Sequence, residues 1–327
     1  MRKKRYPLIS IIIPTLNEEK NIKRCLSSIF RQTYPKKRLE VIIVDDSSTD
    51  KTVNIAKKYP VKIIVHNNKH GEIGKMIGFR NASGKYAIYI DADVELKGTM
   101  WFQKMVKPLE ENGTVIGSFT RKYSRKSDPP LERYYALDPL QRDIVYKMFS
   151  PSIKSVIKEK HKDYFVLEYK ENRIPPAGRV LYRRKELLKE VKNYNMFLEL
   201  DFLVVMTKKG FNKFAYVSKA GLYHHHAKSL KELIRKRKYN IRNVYLKTYE
   251  KKLYKWFDLK NLIDLFKIVL LIVYSNTIFP GVIVGLYKSI KYKDWAGMYE
   301  PVVSLFITDI IIWEFLNNPS SVNLLKN

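Results

Sequence analysis

The chain has 327 residues, enough to bury a large core, and carries 62 Lys and Arg against 32 Asp and Glu, a formal charge of +30. So basic a balance predicts an anionic partner: a phosphorylated substrate, phospholipid headgroups or nucleic acid. The single cysteine, Cys25, excludes an internal disulfide, fits a reducing compartment, and falls on the apolar side of an expected helix, where it reads as packing.

The basic start, residues 1–5, resembles a signal-peptide n-region, but the apolar run at 8–13 ends at Pro14 and is too short to follow it, so no export signal is expected. That run reads as the first strand. Asn17 then suits a helix N-cap, with Glu18 and Glu19 favouring the positive end of the helix dipole. Ile22, Leu26, Ile29 and Phe30 continue at helical spacing. A second strand at 41–44 ends in Asp45-Asp46-Ser47-Ser48-Thr49-Asp50. A helix over 53–59, a strand over 61–65, a helix over 73–82 and a strand over 86–90 follow. Strands alternating with helices in this way predict an α/β fold with a doubly wound, mostly parallel sheet of Rossmann type.

Residues 118–175 are rich in Lys, Arg and Tyr, with Pro129-Pro130 and Pro175-Pro176 as breakers, and read as helices and loops over the sheet's C-terminal edge. From 178 to 210 the pattern turns αβ again, and short strands are expected at 214–217 and 221–223. Over 228–260, apolar residues recur at helical spacing among cations that leave a net +9, the pattern of a basic amphipathic helix lying in a membrane interface. Residues 268–287 are uncharged for the length of a bilayer crossing, although Pro280-Gly281 could break them into a re-entrant hairpin. The segment 301–316 is shorter and contains Asp309 and Glu314. The loop 288–300 carries a net +1 against +9 upstream, which places the catalytic part on the cytoplasmic face. The expected division is 1–227 as catalytic domain, 228–260 as interfacial helices and 261–327 as a membrane-associated region. Within the catalytic domain, 8–96 would bind nucleotide and 97–227 would face the acceptor.

The chemistry concentrates in Asp91-Ala92-Asp93, directly after the buried run 86–90. Open α/β sheets bind ligands at the carboxyl ends of their strands. Two carboxylates one residue apart can grip a divalent cation, and that cation can neutralise a diphosphate. Alone the triplet is weak evidence. It gains weight from Ile11-Ile12-Ile13-Pro14-Thr15-Leu16-Asn17-Glu18, from Val44 through Asp50, and from Gly74-Lys75 through Gly84, in order, each ending a strand or opening a helix.

With these motifs the chain resembles the inverting family 2 glycosyltransferases of the GT-A fold, closely over 8–96 and more loosely over 176–226. The resemblance implies a nucleotide sugar, UDP- or GDP-linked, with Mn2+ or Mg2+ as cofactor. Pro14, Thr15, Leu16 and Glu18 would lie against the nucleoside, and Asp46 would accept a hydrogen bond from the base while Asp45 stays structural. Lys75 would approach the diphosphate, Asp91 would contact ribose or sugar hydroxyls, Ala92 would line the nucleotide-sugar site, and Asp93 would hold the metal together with Asp91. Glu199 would be the catalytic base with Asp201 as a second acid, although Leu198 stands where the family usually has another acid. Of His224-His225-His226, neighbours on a strand face opposite ways, so the triplet is not read as a zinc site. Either His224 or His226 would serve metal or diphosphate, with His226 taken as the ligand.

The Gln-X-X-Arg-Trp motif of processive synthases is absent, which favours transfer of a single sugar. The basic helix and apolar C-terminus point to an acceptor presented at an anionic membrane surface: a polyprenyl-linked glycan, a polysaccharide hydroxyl or, alternatively, a polyprenyl phosphate. A homo-oligomer is compatible with this. The rival from another class is a non-catalytic binder of anionic membrane or nucleic acid. No nucleic-acid module is recognisable, so nucleic acid is not expected as a partner.

Overall fold

The structure is a computed structural model and describes residues 6–317 apart from Lys69, Gln141, 171–177, His226, 247–252, 255–256 and Leu259. The chain forms two compact units, one of residues 1–122 with 152–224 and the other of 123–151 with 225–327.

The first unit is built on a nine-stranded sheet of order β3-β2-β1-β4-β10-β6-β11-β9-β8. Its strands are β1 (Ile9–Thr15), β2 (Leu39–Asp45), β3 (Lys62–Val65), β4 (Tyr86–Tyr89), β6 (Gly117–Phe119), β8 (Ile157–Lys160), β9 (Phe165–Glu168), β10 (Leu181–Arg183) and β11 (Lys213–Tyr216). Only β9 and β10 run against the other strands, so the mostly parallel expectation holds. β1 and β2 are buried along almost their whole length, as strands covered on both faces must be. A small second sheet pairs β5 (Val94–Leu96) antiparallel with β12 (Leu222–His224) and adds β7 (Lys122–Tyr123) at its edge.

The helix Ile22–Phe30 buries Ile22, Cys25, Leu26 and Ile29, one face at helical spacing. Cys25 is fully buried, in line with the packing role expected of it. The helix Gly71–Asn81 packs on β1 through Gly78, where an added Cβ would stand 2.2 Å from Ile12 Cγ2. Only glycine permits that approach of helix to strand.

Two expectations are corrected here. The first helix begins at Ile22, with no acidic residue in its first turn, so Asn17 is not its N-cap. Asn17 takes a φ of +54° instead, and its Oδ1 accepts the Thr49 N–H at 2.9 Å. Asn tolerates the left-handed region and offers a side-chain acceptor, which suits it to pinning the loop after β1 to the loop after β2. Residues 118–175 are not only helices and loops: β8 and β9 form an antiparallel pair in them. β8 reads Ile-Lys-Glu-Lys with alternate residues exposed, so its charges hide an edge strand. Pro129-Pro130 opens the helix Pro130–Leu137 instead of breaking one, since Pro at the first helical position loses no hydrogen bond.

The second unit is helical. Besides Pro130–Leu137 it contains Ile144–Phe149, Leu230–Asn240 continued by a wider π turn at Ile241–Leu246, Leu262–Asn276, Phe279–Tyr292 and Glu300–Leu316. Leu230–Asn240 buries only Leu233, and much of the basic stretch after Leu246 falls outside the described residues. The helices Leu262–Asn276 and Phe279–Tyr292 meet at 79°. The break falls at Thr277-Ile278, ahead of the expected Pro280-Gly281, and Pro280 sits in the first turn of the next helix. Leu262, Ile263, Phe266, Val269, Phe279 and Ile290 on this pair are each more than half exposed. Trp295–Leu316 is long and apolar enough to cross a membrane, and the bent pair together meets the same test. Its acids are paired within the unit: Glu300 accepts Tyr134 Oη at 2.7 Å and Lys288 Nζ, and Glu314 accepts Arg242 Nε.

Candidate active site

Asp91 and Asp93 emerge where β4 ends, and their side chains converge. With His224 they offer three ligand atoms that all lie within 4.8 Å of one another. Strand pairing brings the histidine there: β12 runs antiparallel to β5 with His224 opposite Val94, so the imidazole lands beside Asp93, Nε2 to Oδ1 3.4 Å. Two carboxylates and an imidazole are hard and borderline donors of the kind Mg2+ and Mn2+ take, so the residues present fit a divalent metal. His226, the histidine expected in this role, lies outside the described residues; among the described residues His224, the other candidate, joins the pair.

Cations surround the carboxylates. β10 runs antiparallel to β4, so the residues before Leu181 return to the end of β4. Arg179, in the left-handed region at φ +60°, places Nη2 2.5 Å from Asp91 Oδ2 and 3.0 Å from His224 Nε2. Lys75, on Gly71–Asn81, reaches Glu72 at 2.8 Å and Asp91 at 3.9 Å and lies 4.2 Å over the Tyr89 ring. Burial alone would raise the Asp91 carboxyl, but Arg179 and then Lys75 outweigh it and hold it below the usual range. Burial, reinforced by Arg179, pushes His224 down to about 3, so its imidazole is neutral and able to ligate. Burial next to the same guanidinium pushes Lys122 down to about 7.

Glu199 opens the helix Glu199–Lys208, and its carboxylate is fully engaged. Oε2 accepts Tyr89 Oη at 2.6 Å and the Arg179 N–H at 2.9 Å, while Oε1 accepts the Val180 N–H at 3.0 Å and Tyr182 Oη at 3.4 Å. Burial raises its carboxyl above the ordinary glutamate value in spite of these donors. Asp201 sits in the same first turn and is 4% exposed, placed to favour the helix's positive end. Ala92 is buried between the two aspartates.

The residues expected at the nucleoside lie at the ends of β1 and β2. Thr15 Oγ1 donates to Asp45 Oδ1 at 2.8 Å, and Asp45 also accepts the Ser48 N–H at 2.8 Å, the structural part expected of it. Asp46 is buried and faces His66, Nδ1 to Oδ1 3.5 Å. Pro14 is half-buried, and Leu16 projects with 49% of its surface exposed, free to meet a flat apolar ring. Glu18 accepts Asn21 Nδ2 at 2.7 Å. Arg179, Tyr89 and Lys122 were missed in the sequence. One arginine among 62 basic residues carries no signal of its own, and Tyr89 reads as a strand residue. The Gly178-Arg179 step after Pro175-Pro176 was the only local hint of an unusual turn.

Known proteins bear on this geometry. The family model Glycosyl transferase family 2 matches residues 10–187. Glycosyltransferase AglE of Haloferax volcanii is 28% identical over 142 residues, 41% of this chain and 46% of that protein. A dolichyl N-acetyl-alpha-D-glucosaminyl phosphate 3-beta-D-2,3-diacetamido-2,3-dideoxy-beta-D-glucuronosyltransferase of Methanococcus voltae is 31% identical over 144 residues, 40% of this chain and 45% of that protein. The chain thus spans about half the length of these curated relatives. Among solved structures, the mannosyltransferase PcManGT of Pyrobaculum calidifontis, in complex with GDP-Man and Mn2+, superposes with a TM-score of 0.50 at 16% identity, covering 99% of this chain and 80% of that one, a likeness of fold. The matched residues 10–187 run through β2, β3, β4 and β6, both aspartates and Arg179 and make up more than half of the sequence, so the chain belongs to glycosyl transferase family 2.

Proposed function

We propose that this chain is an inverting glycosyltransferase that moves a single sugar from a UDP- or GDP-sugar to an acceptor presented at a membrane. The observation that carries the reading is the convergence of Asp91, Asp93 and His224 at the end of β4 with Arg179 and Lys75 beside them. Asp91, Asp93 and His224 would hold Mn2+ or Mg2+. Such an ion, when bound, supplies positive charge to a departing diphosphate. Arg179 and Lys75 supply fixed positive charge from the protein itself. Leu16 and Asp46 bind the nucleoside, the one by apolar contact and the other by accepting from the base.

Glu199 takes the acceptor's hydroxyl proton as the oxygen attacks the anomeric carbon on the face opposite the leaving diphosphate. Two of its four hydrogen bonds come from backbone N–H groups that hold the carboxylate still. The other two come from the Tyr89 and Tyr182 hydroxyls, which can rotate away and free lone pairs of the Glu199 carboxylate for the incoming hydroxyl. Its raised carboxyl is better matched to proton abstraction near neutral pH than an ordinary glutamate. The saturated state of Glu199 also favours a second reading, in which the acceptor is a polyprenyl phosphate, already ionised, and Glu199 only shapes the loop at 178–180.

Membrane presentation is supported by the exposed apolar residues of the bent helix pair, the apolar Trp295–Leu316 and the net +9 over 228–260. The test is to incubate the purified protein with Mn2+ and a panel of nucleotide sugars, with and without lipid extract. Nucleoside diphosphate release with one donor is expected. Silence with every donor, lipid included, overturns the reading.

A further inference from the structure

The helical unit holds a second group of metal-capable side chains. Asp128, Glu132 and His225 each offer a donor atom, and these atoms lie within 4.8 Å of one another. Asp128 stands in the turn before the helix Pro130–Leu137, Glu132 in its first turn, and His225 directly after β12. His225 Nδ1 lies 3.1 Å from Glu132 Oε2, and their side chains are only 9% and 5% exposed. Donors bound at about 2.1 Å to one ion stand about 3.0–3.4 Å apart in octahedral or tetrahedral geometry, so this spacing suits a shared cation.

A second, independent observation points the same way. Glu132 Oε1, on the carboxylate that faces His225 Nδ1, is buried and has no hydrogen-bond partner among the described residues. A carboxylate this deep, with one oxygen unsatisfied, is costly unless a cation balances it. Asp128 is pre-set by its own turn, where Oδ2 accepts the Arg125 N–H at 2.6 Å.

We propose that Asp128, Glu132 and His225 form a divalent-cation site that shares no ligand with the Asp91–Asp93 pair. Two carboxylates and one imidazole suit Zn2+ or Mn2+, with further positions left to water. It draws one histidine from the triplet and both carboxylates from elsewhere, which avoids the alternation that rules out three adjacent histidines on one metal. The ligands come from both chain stretches that build the helical unit, 123–151 and 225–327. An ion on all three clips those stretches together, and its binding free energy becomes folding free energy of that unit.

The test counts metal on the whole chain, stripped with chelator, dialysed, and loaded separately with Zn2+ or Mn2+. Asp93→Asn protein is expected to retain about one equivalent, to lose it when His225→Ala is added, and to bind it at least about tenfold more weakly with Glu132→Gln. Its melting temperature is expected to rise with metal, and the rise to vanish with His225→Ala. Should His225→Ala not fold, as judged by circular dichroism of the metal-free protein, the isosteric Glu132→Gln carries the measurement. Asp93→Asn protein that binds no metal overturns the proposal, as does binding unchanged by both His225→Ala and Glu132→Gln. These readouts do not pass through sugar transfer, so a transferase that fails its own assay leaves them intact.

Discussion

Arg179 rests its guanidinium on Asp91, Nη2 to Oδ2 2.5 Å, and the same nitrogen lies 3.0 Å from His224 Nε2. An arginine from the loop before β10 thus stands on two of the three donors that converge at the end of β4. It balances the carboxylates and is held next to where a diphosphate would arrive. A guanidinium can meet carboxylate and phosphate with its planar fork, which a lysine cannot reproduce.

Replacing Arg179 is expected to lower kcat/KM for the nucleotide sugar by about 10²–10³ in Arg179→Ala and by less in Arg179→Lys, the scale of removing one fixed charge-stabilising group. Steady-state release of nucleoside diphosphate measures it. A change smaller than threefold in Arg179→Ala would remove this residue from the site.

Glu199→Gln keeps the size of the side chain but cannot take a proton, and its NH2 group faces one of the two backbone N–H groups that the carboxylate accepted. Against a hydroxyl acceptor the rate is expected to fall by about 10²–10⁴, with donor affinity kept. Against a polyprenyl phosphate little loss is expected. The wild-type rate should drop as pH falls through the Glu199 carboxyl, whose folded value lies above the ordinary one, because a base works only when deprotonated. That acid limb should sit above pH 4.5 and disappear in Glu199→Gln.

Asp93→Asn is expected to abolish the stabilisation by nucleotide that depends on Mn2+. A ligand present at a hundred times its dissociation constant adds about 2.7 kcal/mol to the folded state. Melting curves with UDP or GDP, with and without Mn2+, report it, and a nucleotide shift that Mn2+ still enlarges as in the wild type would contradict the donor set.

Glu40 gives a stability test away from the site. It accepts Ser10 Oγ, the Ser83 N–H at 2.8 Å and Ser83 Oγ at 2.9 Å. Burial pushes its carboxyl up, but these donors and Lys62 win and hold it below the ordinary value. The folded value lies below the unfolded one, so the contribution is present in full above about pH 4.5 and is lost as pH falls through the folded value. Glu40→Gln should therefore cost roughly 1 kcal/mol at pH 7, since the group is partly solvated, and progressively less toward pH 3. Urea unfolding at the two pH values decides it.

Gly78→Ala puts a methyl 2.2 Å from Ile12 Cγ2, where the helix meets the central strand. About 1–3 kcal/mol of destabilisation is expected, read from the denaturation midpoint. A neutral result would mean that this helix packs less closely on β1.

Much of the parallel half of the sheet was legible, because strands buried on both faces carry apolar runs, as 11–14 within Ile9–Thr15 and 41–44 within Leu39–Asp45 do. Asn17 misled because a residue able to cap a helix is equally able to hold a left-handed turn. The edge strand Ile157–Lys160 was hidden because half of its side chains face water and carry charge.

By itself the sequence determined where the parallel strands β1 to β4 run and that Asp91 and Asp93 leave the sheet at the end of β4, since local apolar runs and turn residues set both. Only the tertiary structure decided which residues join them. His224 arrives through the register of β12 on β5, and Arg179 through the antiparallel return of β10 beside β4. Pairings between strands 95 or more residues apart leave no local periodicity, so the chain alone could neither choose His224 over His226 nor point to Arg179.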